Sequence, residues 1–131
     1  MNTVKNKFKT NEILFWITTI AIAIVYFVTG LGNLLPFAHI SQDMAHLGYP
    51  VYFLKILGVW KIPAAVAIVI PGIRRIKEWA FAGMMLDLSG AAFSRYFSGD
   101  AWPTIIIPAG ILILVTVNYL IRLTLIYNSN R

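Results

Sequence analysis

The chain contains no cysteine. Disulfides, thiol redox chemistry, covalent haem attachment and cysteine-ligated iron–sulfur clusters are thereby excluded. Acidic residues are scarce as well, five against eleven Lys and Arg, and charged residues of all kinds make up only 12% of the 131. There is no low-complexity tract, no internal repeat and no stretch that reads as a soluble domain. What fills the chain is apolar: 59% hydrophobic residues and a mean hydropathy of +0.75, too apolar for a soluble domain of this length. The partner this composition requires is a lipid bilayer. A formal charge of +6 and a pI near 9.8 would suggest nucleic acid in a soluble protein. Here the basic residues flank apolar runs and form no patch with interleaved aromatics, so they read as topology signals and no nucleic-acid partner is expected.

The apolar runs predict an all-α fold, a single membrane domain over residues 1–131 built as a four-transmembrane-helix bundle. The spans fall at about 13–35, 51–70, 79–97 and 104–126. The first follows a tail with Lys5, Lys7 and Lys9; at about 23 residues it is too long for the apolar core of a signal peptide. Pro36 is expected to stop it. Tyr26, Gly30 and Asn33 share one of its faces, a packing stripe on which small residues let helices approach closely. Phe37 to Pro50 reads as a loop holding both histidines, with room for one helical turn capped by Ser41. His39 and His46 lack a third ligand nearby, so no metal is expected. The second span carries Lys55, Lys61 and an interior Pro63, which frees the carbonyl of Val59. Pro71 and Gly72 end that span, and Arg74, Arg75, Lys77 and Glu78 form a short loop.

The third span places Gly83, Asp87, Gly90, Ala91 and Ser94 on one face, which is expected to lie against protein. Trp102 and Pro103 mark an interfacial helix start, and the last span carries Asn118 and Arg122 near its end. Basic residues gather in the N-terminal tail, the loop around Arg75 and the C-terminal end. The opposite side holds only Lys55 and Arg95, within apolar segments. Positive-inside logic puts both termini in the cytoplasm.

Ionisable residues inside apolar spans are the candidate site. Lys61 lies ~15 Å in from one end of its span and Asp87 ~12 Å in from the opposite end of the next. In a hydrocarbon core about 30 Å thick these depths nearly coincide, and helices joined by so short a loop are antiparallel neighbours. The two should therefore pair, since each ion alone costs on the order of 2.5 to 3.5 kcal/mol. The pair reads either as a proton-active or ligand-orienting group in a polar cleft or as a structural ion pair that fixes helix register. Lys55 and Arg95 are read mainly as side chains reaching the interface, with Asp100 just beyond Arg95. Asn33 and Asn118 read as interhelical hydrogen bonders.

Several segments carry a resemblance: TGLGNL closing the first span, LGYP, KILGVWKI followed by Pro63, IKEWAFAG, and AAFSRYFSGD. Together they make the chain similar to the DoxX-like family of small four-helix membrane proteins, over about Tyr26 to Tyr119. The resemblance implies a four-span bundle in a bacterial-type cytoplasmic membrane. Relatives include a subunit associated with thiosulfate oxidation that feeds the quinone pool. Family members often have Lys at the position of Asn33 and His at that of Arg95, so this chain carries a permanent cation where an imidazole is usual.

Three functions follow as expectations. The first is an accessory subunit of membrane redox metabolism that binds a quinone-like ligand around Lys61 and Asp87, with Trp60, Tyr26 and Phe93 lining the site and no other cofactor. The second is a structural or assembly partner of a larger membrane protein. The third is an oligomeric small-solute transporter, which requires self-association because four spans without a repeat make a poor self-contained carrier. None of them makes the chain an independent enzyme. The site candidates are Lys61, Asp87, Lys55, Arg95, Asp100 and Asn33.

Overall fold

A computed structural model describes residues 2–35 and 37–131. Five helices form in order: α1 (Asn2–Leu34), α2 (Ala38–His46), α3 (Tyr52–Val69), α4 (Arg74–Phe97) and α5 (Trp102–Ser129). No strand occurs among the described residues. The four long helices close into a ring, α1 on α3, α3 on α4, α4 on α5 and α5 back on α1. Three of them, α1, α3 and α5, are long and apolar enough to cross a membrane. The fourth span expected from the sequence is not among these. At 24 residues α4 is long enough, but Arg74, Arg75, Lys77, Glu78, Asp87 and Arg95 make it the most polar of the four.

The helix ends follow local chemistry. Gly72 and Gly99 take positive φ, 89° and 74°, at the turns after α3 and α4, where a left-handed residue reverses the chain and glycine does so without a Cβ penalty. Ala101 is extended and Pro103 sits in the first turn of α5, where its missing N–H costs nothing. α3 continues through Pro63 to Val69. Pro36, expected to stop the first span, lies outside the described residues.

Three expectations about the connections are corrected. The histidine segment forms a nine-residue helix rather than a loop. Ser41 does not cap it: Phe37 holds the N-cap position, and the Ser41 hydroxyl bonds back to the Phe37 carbonyl from inside the helix. Arg74 to Glu78 form the first turn of α4 rather than a loop.

The core comprises Ile22 and Tyr26 from α1, Ala65 and Ile68 from α3, Phe81, Met84 and Leu88 from α4 and Val115 from α5. Glycine fixes the closest crossing. A Cβ on Gly58 would stand 2.7 Å from Leu34 Cγ and 2.8 Å from the Gly30 carbonyl oxygen, and one on Gly30 would stand 3.0 Å from Ile62. The stripe through Tyr26 and Gly30 is thus the surface on which α1 meets α3. α5 is tied to α1 by Asn118, whose fully buried amide donates to the Phe15 carbonyl and lies within bonding reach of the Thr18 and Thr19 hydroxyls.

Candidate functional site

Every acidic residue except Glu12 is ion-paired, and the pairs sit at three levels of the bundle. At the end opposite α2, Glu78 accepts from Arg122 and from the Tyr119 hydroxyl, locking α4 to α5. Arg122 is buried, so the residue read as a topology charge is a helix-packing cation. Its signal was the spacing of Tyr119 and Arg122, i and i+3 on one face, opposite the lone acid of the basic segment.

At mid-bundle Lys61 Nζ lies 3.8 Å from Asp87 Oδ2, and the two side chains are 18% and 22% exposed. The Tyr26 hydroxyl donates to Asp87 Oδ2 at 3.1 Å and lies 3.2 Å from the Met84 carbonyl. Lys61 Nζ also sits 5.9 Å from the centre of the Tyr26 ring, within cation–π range. Three helices therefore contribute to one polar group: α1 through Tyr26, α3 through Lys61 and α4 through Asp87.

At the α2 end Arg95 bridges two acids. Its guanidinium reaches Asp43 Oδ2 at 2.5 Å and Asp100 Oδ2 at 3.1 Å, and His46 Nε2 lies 2.5 Å from Asp100 Oδ1. Tyr49 bonds Ser94 at 2.6 Å. These contacts clamp α2 onto α4 and the turn that follows it. The hydrogen bond from His46, and then the nearby Arg95, hold the Asp100 carboxyl below the ordinary range. Arg95 is thus a clamp residue rather than a side chain reaching freely for the interface. Asp43 and His46, i and i+3 on one helix face, are the partners that reading the segment as a loop had hidden.

Two cavities meet at the mid-bundle group. The larger, about 630 Å³, is a groove between α3 and α4 whose walls are mostly apolar, with Trp60, Pro63 and Ala64 facing Trp79, Gly83 and Gly90. The small-residue face of α4 expected to lie against protein instead lines this opening. A Cβ on Gly83 or Gly90 would meet nothing within 4 Å. The groove exists because residues without bulk face one another across the two helices. The second cavity, about 520 Å³, runs inside the ring toward α2 and is lined in part by Asn33, Thr29 and Arg95. Tyr26, Lys61 and Asp87 line both.

The candidates divide accordingly. Lys61 and Asp87 come together, and Arg95 and Asp100 come together one level above them. Asn33 lines the second cavity and makes no hydrogen bond to a described residue, unlike Asn118. Lys55 is exposed on α3 and joins neither group. Of the aromatics expected at the site, Trp60 and Tyr26 line the groove, whereas Phe93 is 62% exposed and stacks on Phe97.

No curated protein and no solved structure matches the chain. The profile of the DoxX-like family matches residues 17–117, a range that contains the α3/α4 groove, the mid-bundle polar group and the α2 clamp, and the chain belongs to that family.

Proposed function

We propose that this DoxX-like membrane protein binds a quinone-like ligand in the groove between α3 and α4, and serves as an accessory subunit of membrane redox metabolism. The observation that carries the reading is the groove itself: about 630 Å³, apolar along its walls, with Lys61, Asp87 and Tyr26 as its polar groups. That is the make-up of a small-molecule site, mostly hydrophobic with a few convergent polar groups that orient the ligand. A ring with carbonyl or hydroxyl oxygens suits it, since Lys61 donates, Asp87 accepts and the apolar walls take a hydrocarbon tail. In this reading α4 is the fourth crossing, over residues 79–97, because it packs between two helices able to span. Within that range its ions, Asp87 and Arg95, are turned toward partners on α1, α2 and α3. Both termini then face the cytoplasm of a bacterial-type cell, following the basic tail and the Arg74, Arg75 and Lys77 turn.

Tryptophan fluorescence tests the ligand. Trp60 and Trp79 line the groove, whereas Trp16 and Trp102 do not. In a Trp16→Phe, Trp102→Phe background, a short-chain ubiquinone analogue should quench the two remaining tryptophans saturably. Gly90→Leu, which fills open space, should abolish the effect. Quenching that is linear in analogue concentration and indifferent to Gly90→Leu would refute the proposal.

A second reading has its own support. The groove spans most of the facing lengths of α3 and α4, and its Gly83, Asp87, Gly90 and Ala91 stripe would let a helix approach closely. On that reading a helix of a redox partner, or of a second copy of this chain, fills it and the protein acts in assembly. Crosslinking from a photoreactive residue at Gly90 separates the two, giving a protein adduct for assembly and a lipid-sized adduct for the ligand.

A further inference from the structure

We infer that the second cavity is a hydrated shaft through which the Asp87 carboxyl exchanges protons with the aqueous phase at the α2 end. The shaft carries more polar groups than the groove, although Val25, Ile40, Leu54, Leu88 and Ile111 line it too. Thr29, Asn33 and Thr104 line it along with Lys61, Asp87 and Arg95. Asn33 is half-buried there and bonds no described residue. Asn33 stands one residue from the end of α1, and Lys61, Asp87 and Arg95 carry charge along the cavity below it, so water is the occupant these groups call for. At about 30 Å³ for each water, some 520 Å³ leaves room for on the order of ten molecules. Asp87 and Arg95 lie on one helix, eight residues and thus ~12 Å apart, a distance a short water chain bridges.

The charges facing the shaft balance rather than select an ion. Lys61 faces Asp87 at the bottom, with the Tyr26 hydroxyl beside them. Arg95 faces Asp43 at the top, so two cations stand against two anions along the lining. Such a lining has no net field to concentrate an anion or a cation, and it suits a proton relayed by water. The exchange breaks and forms only O–H bonds: a hydronium in the shaft gives its proton to an Asp87 oxygen, and the reverse step returns it. The Tyr26, Lys61 and Asp87 group therefore faces both the apolar groove and water, and Leu57, Ala91, Met44 and Leu47 continue the boundary between the two cavities toward α2. If the ligand reading holds, a quinone-like molecule in the groove draws its protons from the α2 side. The shaft itself does not depend on that reading.

The absence of native cysteine makes the test clean, because each substitution introduces the only thiol. Val25 lines the shaft while its neighbour Ile24 is 58% exposed on the outer side of α1; Asn33 lines the shaft while Leu31 is 40% exposed. Each pair compares two faces at nearly one depth. In full-length protein in nanodiscs, the water-soluble reagent 2-(trimethylammonium)ethyl methanethiosulfonate should modify Val25→Cys and Asn33→Cys about tenfold or more faster than Ile24→Cys and Leu31→Cys, since the thiolate that reacts forms in water and not in lipid. Thr104→Cys, a position on α5 that lines the shaft and not the groove, replaces any variant that fails to elute as the parent does. For the proton, on a step from neutral to acid pH in D2O, the infrared carbonyl band that Asp87 gains when it takes up a proton, identified by its absence in Asp87→Asn, should appear at its deuterated position. Equal labelling on the two faces, or an acid step that brings up no Asp87 band, overturns the inference. Tryptophan quenching by the ubiquinone analogue is indifferent to either result, and a groove that binds no quinone leaves both readouts unchanged.

Discussion

Replacing Lys61 with Met, Asp87 with Asn, and both together measures what holds the middle of the bundle. At 3.8 Å and an effective dielectric constant of about 20, the Coulomb attraction of the pair is ~4 kcal/mol. Both side chains are about one-fifth exposed to the cavities, which screens part of that, so a coupling energy of roughly 1 to 3 kcal/mol is expected. The singles should be unequal. Lys61→Met leaves Asp87 with the Tyr26 hydroxyl still donating to it, whereas Asp87→Asn leaves Lys61 facing the same hydroxyl with no anion. Asp87→Asn should therefore be the more damaging, by about 1 kcal/mol, the worth of one hydrogen bond to a charged group beyond an ordinary one. The double variant should recover most of the loss, because removing one partner strands an ion and removing both strands none. Equilibrium unfolding in mixed micelles of mild detergent and dodecyl sulfate reads all four proteins. Losses that simply add would show that the two residues do not interact, and equal singles would show that Tyr26 does nothing for Asp87.

Gly58→Ala should destabilise by about 1 to 3 kcal/mol, since its methyl group would press on the Gly30 carbonyl and on Leu34. Gly83→Ala should stay within about 0.5 kcal/mol of the parent because its methyl group meets open space; the same micelle unfolding compares them. The α2 clamp should fail in acid. The Asp100 carboxyl titrates lower in the folded protein than its ordinary value of 3.8. Its contribution is thus complete above that value and lost as pH falls through the lowered one. Amide hydrogen exchange in α2 should accelerate below about pH 4 in the parent beyond its intrinsic pH trend, and Asp100→Asn should remove that step. Arg95→Ala, which leaves Asp43 and Asp100 without their shared cation, should expose α2 amides even at neutral pH. Finally, in sealed right-side-out vesicles an impermeant maleimide should label His46→Cys and not Ser129→Cys; the reverse pattern would invert the proposed orientation.

What the sequence determined by itself was whatever follows from distance along one chain. Apolar runs of spanning length, the stops at Pro71 and Gly72 and the start at Trp102 and Pro103 locate the helices, because helix formation in an apolar segment is a local matter of satisfying backbone groups. The meeting of Lys61 and Asp87 was legible for the same reason: two helices joined by a short turn run antiparallel, and counting residues at a fixed rise gives the depth of each. Of the stripe of Tyr26, Gly30 and Asn33, the close approach at Gly30 was likewise legible, whereas Asn33 lines a cavity instead of packing.

Tertiary structure decided whatever depends on segments far apart in sequence. The segment from Ala38 to His46 is short and polar, with little tendency to be helical alone. It is held by Arg95 and Asp100, more than fifty residues away. Arg122 reads as an inside charge until folding brings it to Glu78. The face of Gly83, Asp87 and Gly90 could be recognised as small, but smallness permits either close packing or an open groove. Only the placement of α3 opposite it, with Pro63 and Ala64 lacking the bulk to fill the space, made it a groove. That is why a single sequence could name the ions of the candidate site and not the two cavities that give them something to act on.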